Sequence, residues 1–162
     1  MREDRSPRRR AARACAAGLL LALLALGGSA QADGRRAAPA DPGYVAECGS
    51  CHLPYPPRLL SAASWGRVMQ GLDKHFGSDA SVDAASFARI DRYLREHAGP
   101  ERKFGTSALR ITETDWFRRE HNEVPSGAWK GSAVKSAANC GACHVAADKG
   151  DYGERGVRVP RF

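Results

Sequence analysis

Two short segments, Cys48-Gly49-Ser50-Cys51-His52 and Cys140-Gly141-Ala142-Cys143-His144, constrain this 162-residue chain more than anything else in it. In each, two cysteines separated by two residues are followed directly by a histidine. On a helical turn that spacing sets both sulfurs toward one edge of a flat ligand and brings an imidazole beneath its centre. It is the pattern by which two thioethers hold a porphyrin while the histidine ligates its iron. The pattern points to two c-type haems attached through Cys48, Cys51, Cys140 and Cys143, with His52 and His144 as proximal iron ligands. Other uses of four cysteines explain less. A structural zinc site would have to join two pairs that lie 89 positions apart, and would leave each histidine idle. Two disulfides suit an exported chain but do not account for a histidine repeated at the same offset. A thioredoxin-like motif needs a strand–helix setting, and no segment shows the alternation of a strand.

Export is itself legible. Residues 1–14 are basic, residues 15–28 form an apolar run, and Ala30-Gln31-Ala32 supplies small residues before Asp33. This is the order of a secretory signal peptide cut after Ala32. The run is shorter than the ~20 apolar residues of a membrane-spanning helix, so the mature chain is expected not to span a membrane. Cys15 precedes the apolar run, which argues against a lipoprotein. Attachment of c-type haem outside the bacterial cytoplasm fits the same address, the periplasm. Removing residues 1–32 leaves 130 residues, enough for one small domain or two lobes. It also takes away six arginines against Glu3 and Asp4, so the net charge falls from +7 to +3. The basic character belongs mostly to the leader. Without a basic stripe interleaved with aromatics, nucleic-acid binding has no support.

Residues 33–43 read as a flexible leader, 44–98 as an N-terminal haem lobe and 99–162 as a C-terminal one. A short helix over 44–52 runs into the first motif, and Leu53-Pro54-Tyr55-Pro56-Pro57 breaks it. Trp65, Val68, Met69, Leu72, His75 and Phe76 recur at helical spacing and predict a helix from Ala63 to Phe76, ended by Gly77. A second, capped by Asp83, is predicted from Ala84 to His97, with Phe87, Ile90, Tyr93 and Leu94 inward. Residues 98–113 read as a polar connector. A short helix follows over 115–121, with Thr112 or Thr114 as cap. Residues 122–135 and the tail from Asp148 are expected to be irregular.

Closing an iron needs a second axial ligand, usually Met or His. The mature chain offers Met69, His75, His97 and His121. One methionine cannot serve two irons. His75, on an apolar face, and His121, four residues after Phe117, are the expected distal ligands. Met69 is the rival to His75, and its alternative role is core packing. His97 reads as a solvent-facing helix terminus. His75 lies 23 residues after His52, and His121 lies 23 before His144, so local loops can close His52/His75 and His144/His121. A crossed pairing stays open. Pro54 or Pro56 is expected to offer a carbonyl to the His52 Nδ1–H, a contact that fixes the ring and raises its basicity. Nothing equivalent follows His144.

The run Glu47 to Pro57 around the first motif, Ser64-Trp65 through Met69 to His75-Phe76-Gly77, and Thr114-x-Trp116-Phe117-x-x-x-His121 followed by Asn139 to His144 resemble the bacterial dihaem cytochrome c family. The resemblance runs in order through nearly all of residues 43–160. It implies a mainly α, small cytochrome c-like helical fold around two covalently bound haems, with an irregular C-terminal haem lobe. It also implies a periplasmic electron carrier, not an enzyme, with two low-spin bis-histidine irons. The implied partners are a membrane cytochrome b of the b561 type and a small oxygen-binding cytochrome c. The rival class is a dihaem peroxidase, or an enzyme reactive toward oxygen or nitric oxide, which needs one open iron.

Overall fold

A computed structural model describes residues 40–161. The expected signal peptide and most of the leader lie outside the described residues. Among the described residues no helix is long and apolar enough to cross a membrane, and the only β pairings are isolated bridges. The chain is mainly helical, as expected.

The first helix, α1, spans Pro42–Cys48 and starts two residues before the position expected. Asp41 accepts a hydrogen bond from the Tyr44 N–H at 2.9 Å, and Pro42 takes the first helical position, where its missing N–H costs nothing. Tyr44 points inward, 3% exposed, and its hydroxyl donates to the Tyr55 carbonyl at 2.7 Å.

Helix α2 spans Ala62–Gln70. Its cap, Ser61, accepts from the Ser64 N–H at 3.2 Å, and both serines are fully buried. The helix stops at Gly71, not at Phe76 as expected. A 3-10 turn over Leu72–Lys74 follows, and His75 (φ −63, ψ 87) has left the helix altogether. A glycine inside the apolar repeat is the physical reason, since it favours termination over continuation. Phe76 then takes φ 51 and Gly77 φ 103, which turns the chain back on itself. Phe76 is consequently 45% exposed instead of buried, with the Arg110 guanidinium 3.8 Å from its ring centre.

Helix α3 spans Ala84–Glu96 and is capped as expected, Asp83 accepting from the N–H groups of Ala85 and Ser86 at 2.8 and 3.1 Å. Ile90 and Leu94, each 1% exposed, pack with Trp65 and Met69 of α2, Tyr44 of α1 and Leu60 to form the core.

The stretch after α3 is more than a polar connector. The Gly99 N–H donates to the Leu60 carbonyl at 2.8 Å, and Gly99 bridges to Ser61 in parallel. A short helix, α4, over Glu101–Phe104 then buries Phe104. A Cβ on Gly99 would strike the Arg58 carbonyl oxygen and the Phe104 ring. Gly99→Ala is therefore expected to destabilise the protein by about 1–3 kcal/mol, the usual cost of overpacking. Urea unfolding checks this: the midpoint falls while the slope is unchanged. Helix α5, Asp115–Glu120, is capped by Thr114, which accepts from the Phe117 N–H at 3.1 Å.

Candidate haem centres

Cys48 is the last residue of α1, and Cys51 and His52 occupy the turn after it. The His52 Nδ1 lies 2.8 Å from the Leu53 carbonyl. A carbonyl can only accept, so Nδ1 carries the proton and the Nε2 lone pair is left free. The partner is Leu53, not Pro54 or Pro56; the chain turns one residue sooner than expected. Tyr55 stacks on the His52 ring with centres 5.0 Å apart. The turn at 75–78, closed by the Ser78 N–H donating to the His75 carbonyl at 3.1 Å, presents His75 opposite His52. The two imidazole centres are 6.2 Å apart, with ring planes 19° from parallel.

The second centre has a different frame. Cys140, Cys143 and His144 lie on a 3-10 turn and its exit, with the His144 N–H donating to the Cys140 carbonyl at 2.8 Å. The tail is pinned to this motif: the Arg158 N–H donates to the Cys143 carbonyl at 2.8 Å, and His144 bridges to Val157. His121 stands at the end of α5. Its Nδ1 lies 2.9 Å from the Phe117 carbonyl, so its Nε2 is likewise free, and its ring stacks on Phe117 at 4.0 Å and 19°. The centres of His121 and His144 are again 6.2 Å apart, but the rings cross at 73°.

An imidazole nitrogen about 2.0–2.1 Å from a first-row metal ion sets its ring centre roughly 3.2 Å from the metal, so two trans imidazoles have centres roughly 6.4 Å apart. Both pairs meet that separation. The structure brings together His52 with His75 and His144 with His121. Met69 is 3% exposed within the core, and His97 is an exposed helix end whose ring lies 5.0 Å from Tyr93. Burial, the neighbouring His52 and then Arg110 hold the His75 imidazole below its ordinary pKa. Burial and then His121 do the same for His144, partly offset by Asp151. Both shifts favour the neutral ring, the form that can donate to a metal.

Burial holds three of the four motif thiols in their protonated form. Burial, with Glu47 nearby, pushes the Cys48 thiol up to about 11, and burial also raises Cys140 and Cys143. Among the described residues no three His, Cys, Asp or Glu side chains converge on a common point. Three buried polar atoms, Arg58 Nη1, His144 Nδ1 and Tyr152 Oη, find no hydrogen-bond partner among the described residues. Such atoms are normally satisfied, and their clustering beside the second motif fits a polar group that the chain itself does not supply.

Sequence reasoning did not rank the residues that join the two centres. The hydroxyl of Tyr55, whose ring stacks on His52, donates to the Ala138 carbonyl at 2.8 Å, and the same carbonyl accepts the Cys140 N–H at 3.0 Å. Arg58 Nη2 donates to the Gly150 carbonyl at 3.3 Å. In the sequence Tyr55 is one of several aromatics able to pack on a porphyrin or donate to a propionate, and Arg58 is marked only by nearness to the first motif.

The family model described as dihaem cytochrome c matches residues 44–152. A solved structure of a dihaem cytochrome c from Shewanella baltica is similar at 39% identity and TM-score 0.68, covering 77% of this chain and 97% of that one. Two structures of a dihaem cytochrome c from Rhodobacter sphaeroides are similar at 41% and 39% identity with TM-scores 0.62 and 0.64. They cover 70% and 71% of this chain, and 97% and 98% of theirs. No curated protein matches.

Proposed function

Because the chain belongs to the dihaem cytochrome c family, and so carries two c-type haems, we propose that it is a periplasmic electron carrier whose two irons are both closed by histidine. Cys48 and Cys51 hold the first haem, between His52 and His75. Cys140 and Cys143 hold the second, between His144 and His121. When bound, each haem iron supplies a one-electron couple that needs no exchange of ligand. The polypeptide binds the two groups, keeps water from them and tunes their potentials. Histidine on both faces favours a lower potential than a methionine–histidine pair.

The observation that carries this reading is the separation of 6.2 Å between imidazole centres in both pairs. Two free Nε2 atoms, on His52 and His121, support it. The implied route of electrons runs between a membrane cytochrome b of the b561 type and a small oxygen-binding cytochrome c. Neither partner is needed for the first test. Dithionite-reduced protein is expected to keep its low-spin absorption spectrum under carbon monoxide. A carbon monoxide adduct in the wild-type protein would reveal an open iron and bring back the enzyme reading.

A further inference from the structure

The two pairs of histidines share one separation and differ in one respect, the angle between their ring planes. His52 and His75 lie 19° from parallel, whereas His121 and His144 cross at 73°. Something must hold the second pair crossed, because rotation of an imidazole about its bond to a metal is soft. Phe117 does so from two sides. Its carbonyl accepts both the His121 N–H at 3.1 Å and the His121 Nδ1–H at 2.9 Å. Its ring lies on the face of the imidazole at 4.0 Å and 19°. Phe117 is itself 8% exposed and fixed by its N–H bond to the buried Thr114 hydroxyl at 3.1 Å. Trp129 stands 5.9 Å from His121 and 6.0 Å from Phe117, packed against the stacked pair. In the first pair the stacked ring and the carbonyl bond belong to His52, through Tyr55 at 5.0 Å and 22° and the Leu53 carbonyl at 2.8 Å, whereas Phe76, next to His75, is tilted 57° to its ring.

From this geometry we infer that Phe117 is a positioning residue, which holds the His121 ring across that of His144 and makes the second iron electronically distinct from the first. The inference rests on the reading that His121 and His144 share an iron. The physics is orbital. In a low-spin ferric ion the unpaired electron occupies one of two d orbitals that overlap with ligand π orbitals. Parallel imidazoles both raise the same one and split the pair widely. Crossed imidazoles raise one each and leave the pair nearly degenerate, which preserves orbital angular momentum. A parallel site gives a rhombic paramagnetic resonance signal. A crossed site gives a strongly anisotropic one with a large maximum g value.

Frozen, fully oxidised holoprotein should therefore show two low-spin signals of equal spin concentration, one rhombic and one strongly anisotropic. Phe117→Leu keeps the carbonyl and the apolar volume but removes the stacked ring. It should cost most of the anisotropic signal's intensity at its original g value and leave the rhombic signal unmoved. Phe117→Tyr, which retains an aromatic face, should restore the wild-type spectrum. Two rhombic signals in the wild-type protein would overturn the inference without any variant. So would Phe117→Leu with the anisotropic signal unchanged. A high-spin ferric signal in the wild-type protein would instead overturn the axial assignment beneath it.

Discussion

His121→Ala is expected to open the second iron, taking carbon monoxide binding from none to one per chain while both haems stay attached. The backbone at His121, φ −121 and ψ 18, is open to alanine, so α5 and its Phe117 should be retained. What goes is one imidazole of a pair whose centres lie 6.2 Å apart. Loss of an axial ligand converts that iron to a high-spin, five-coordinate state, and added imidazole should restore the low-spin spectrum. His75→Ala should do the same at the first iron. Combining each change with Cys140→Ala and Cys143→Ala, which removes the second haem, decides between local and crossed pairing. In that background His75→Ala should still open the remaining iron, and His121→Ala should not. If His121→Ala binds no carbon monoxide although its haems are attached, His121 is not a ligand. The exposed His97 and the buried Met69 would then need testing in turn.

How far these centres could be read in advance depended on how local the physics was. The Cys-x-x-Cys-His spacing is a property of five consecutive residues, so both motifs were legible. The same is true of Asp83 as a cap and of Ile90 and Leu94 as an inward face, which follow from propensity and period. His75 was singled out for the wrong structural reason. The periodic face was extended through Gly71, but the helix ends there, and a turn, not a helix face, delivers the imidazole. Phe76, taken as buried by the same extension, is exposed. The contacts that close the structure are long-range and left no local mark. Gly99 donating to Leu60, Tyr55 reaching Ala138, and Arg158 binding the Cys143 carbonyl each join segments whose own composition says only loop. The tail beyond Asp148 was expected to be irregular. It is irregular, yet it is pinned to the second motif, because a chain whose described residues form no strand satisfies its backbone there through single bridges and turns.

Removing the second haem is expected to unfold much of the chain beyond Asp115 while sparing α1 to α3. The buried apolar residues are unevenly shared. Tyr44, Leu60, Trp65, Met69, Ile90 and Leu94 form one cluster in the first half. Among the described residues from 115 to 161 the buried apolar side chains are Phe117, Ala128, Val134 and Ala147, two of them alanines. So little apolar surface does not offset the conformational entropy of ordering the segment. The segment is also tied together by 3-10 turns and isolated bridges instead of long helices. On the proposed reading, a buried porphyrin tethered at Cys140 and Cys143 and clamped between His144 and His121 would supply the missing core. The variant carrying Cys140→Ala and Cys143→Ala should hold one haem per chain instead of two. Amides of residues 115–161 should then exchange with opening free energies near zero, and limited proteolysis should cut there first. Amides of α2 and α3 should keep their protection, because their core is formed by side chains alone. Replacing Cys48 and Cys51 should instead leave those helices measurably ordered even without the first haem. Wild-type protection of residues 115–161 in the one-haem variant would show that the polypeptide orders this half unaided.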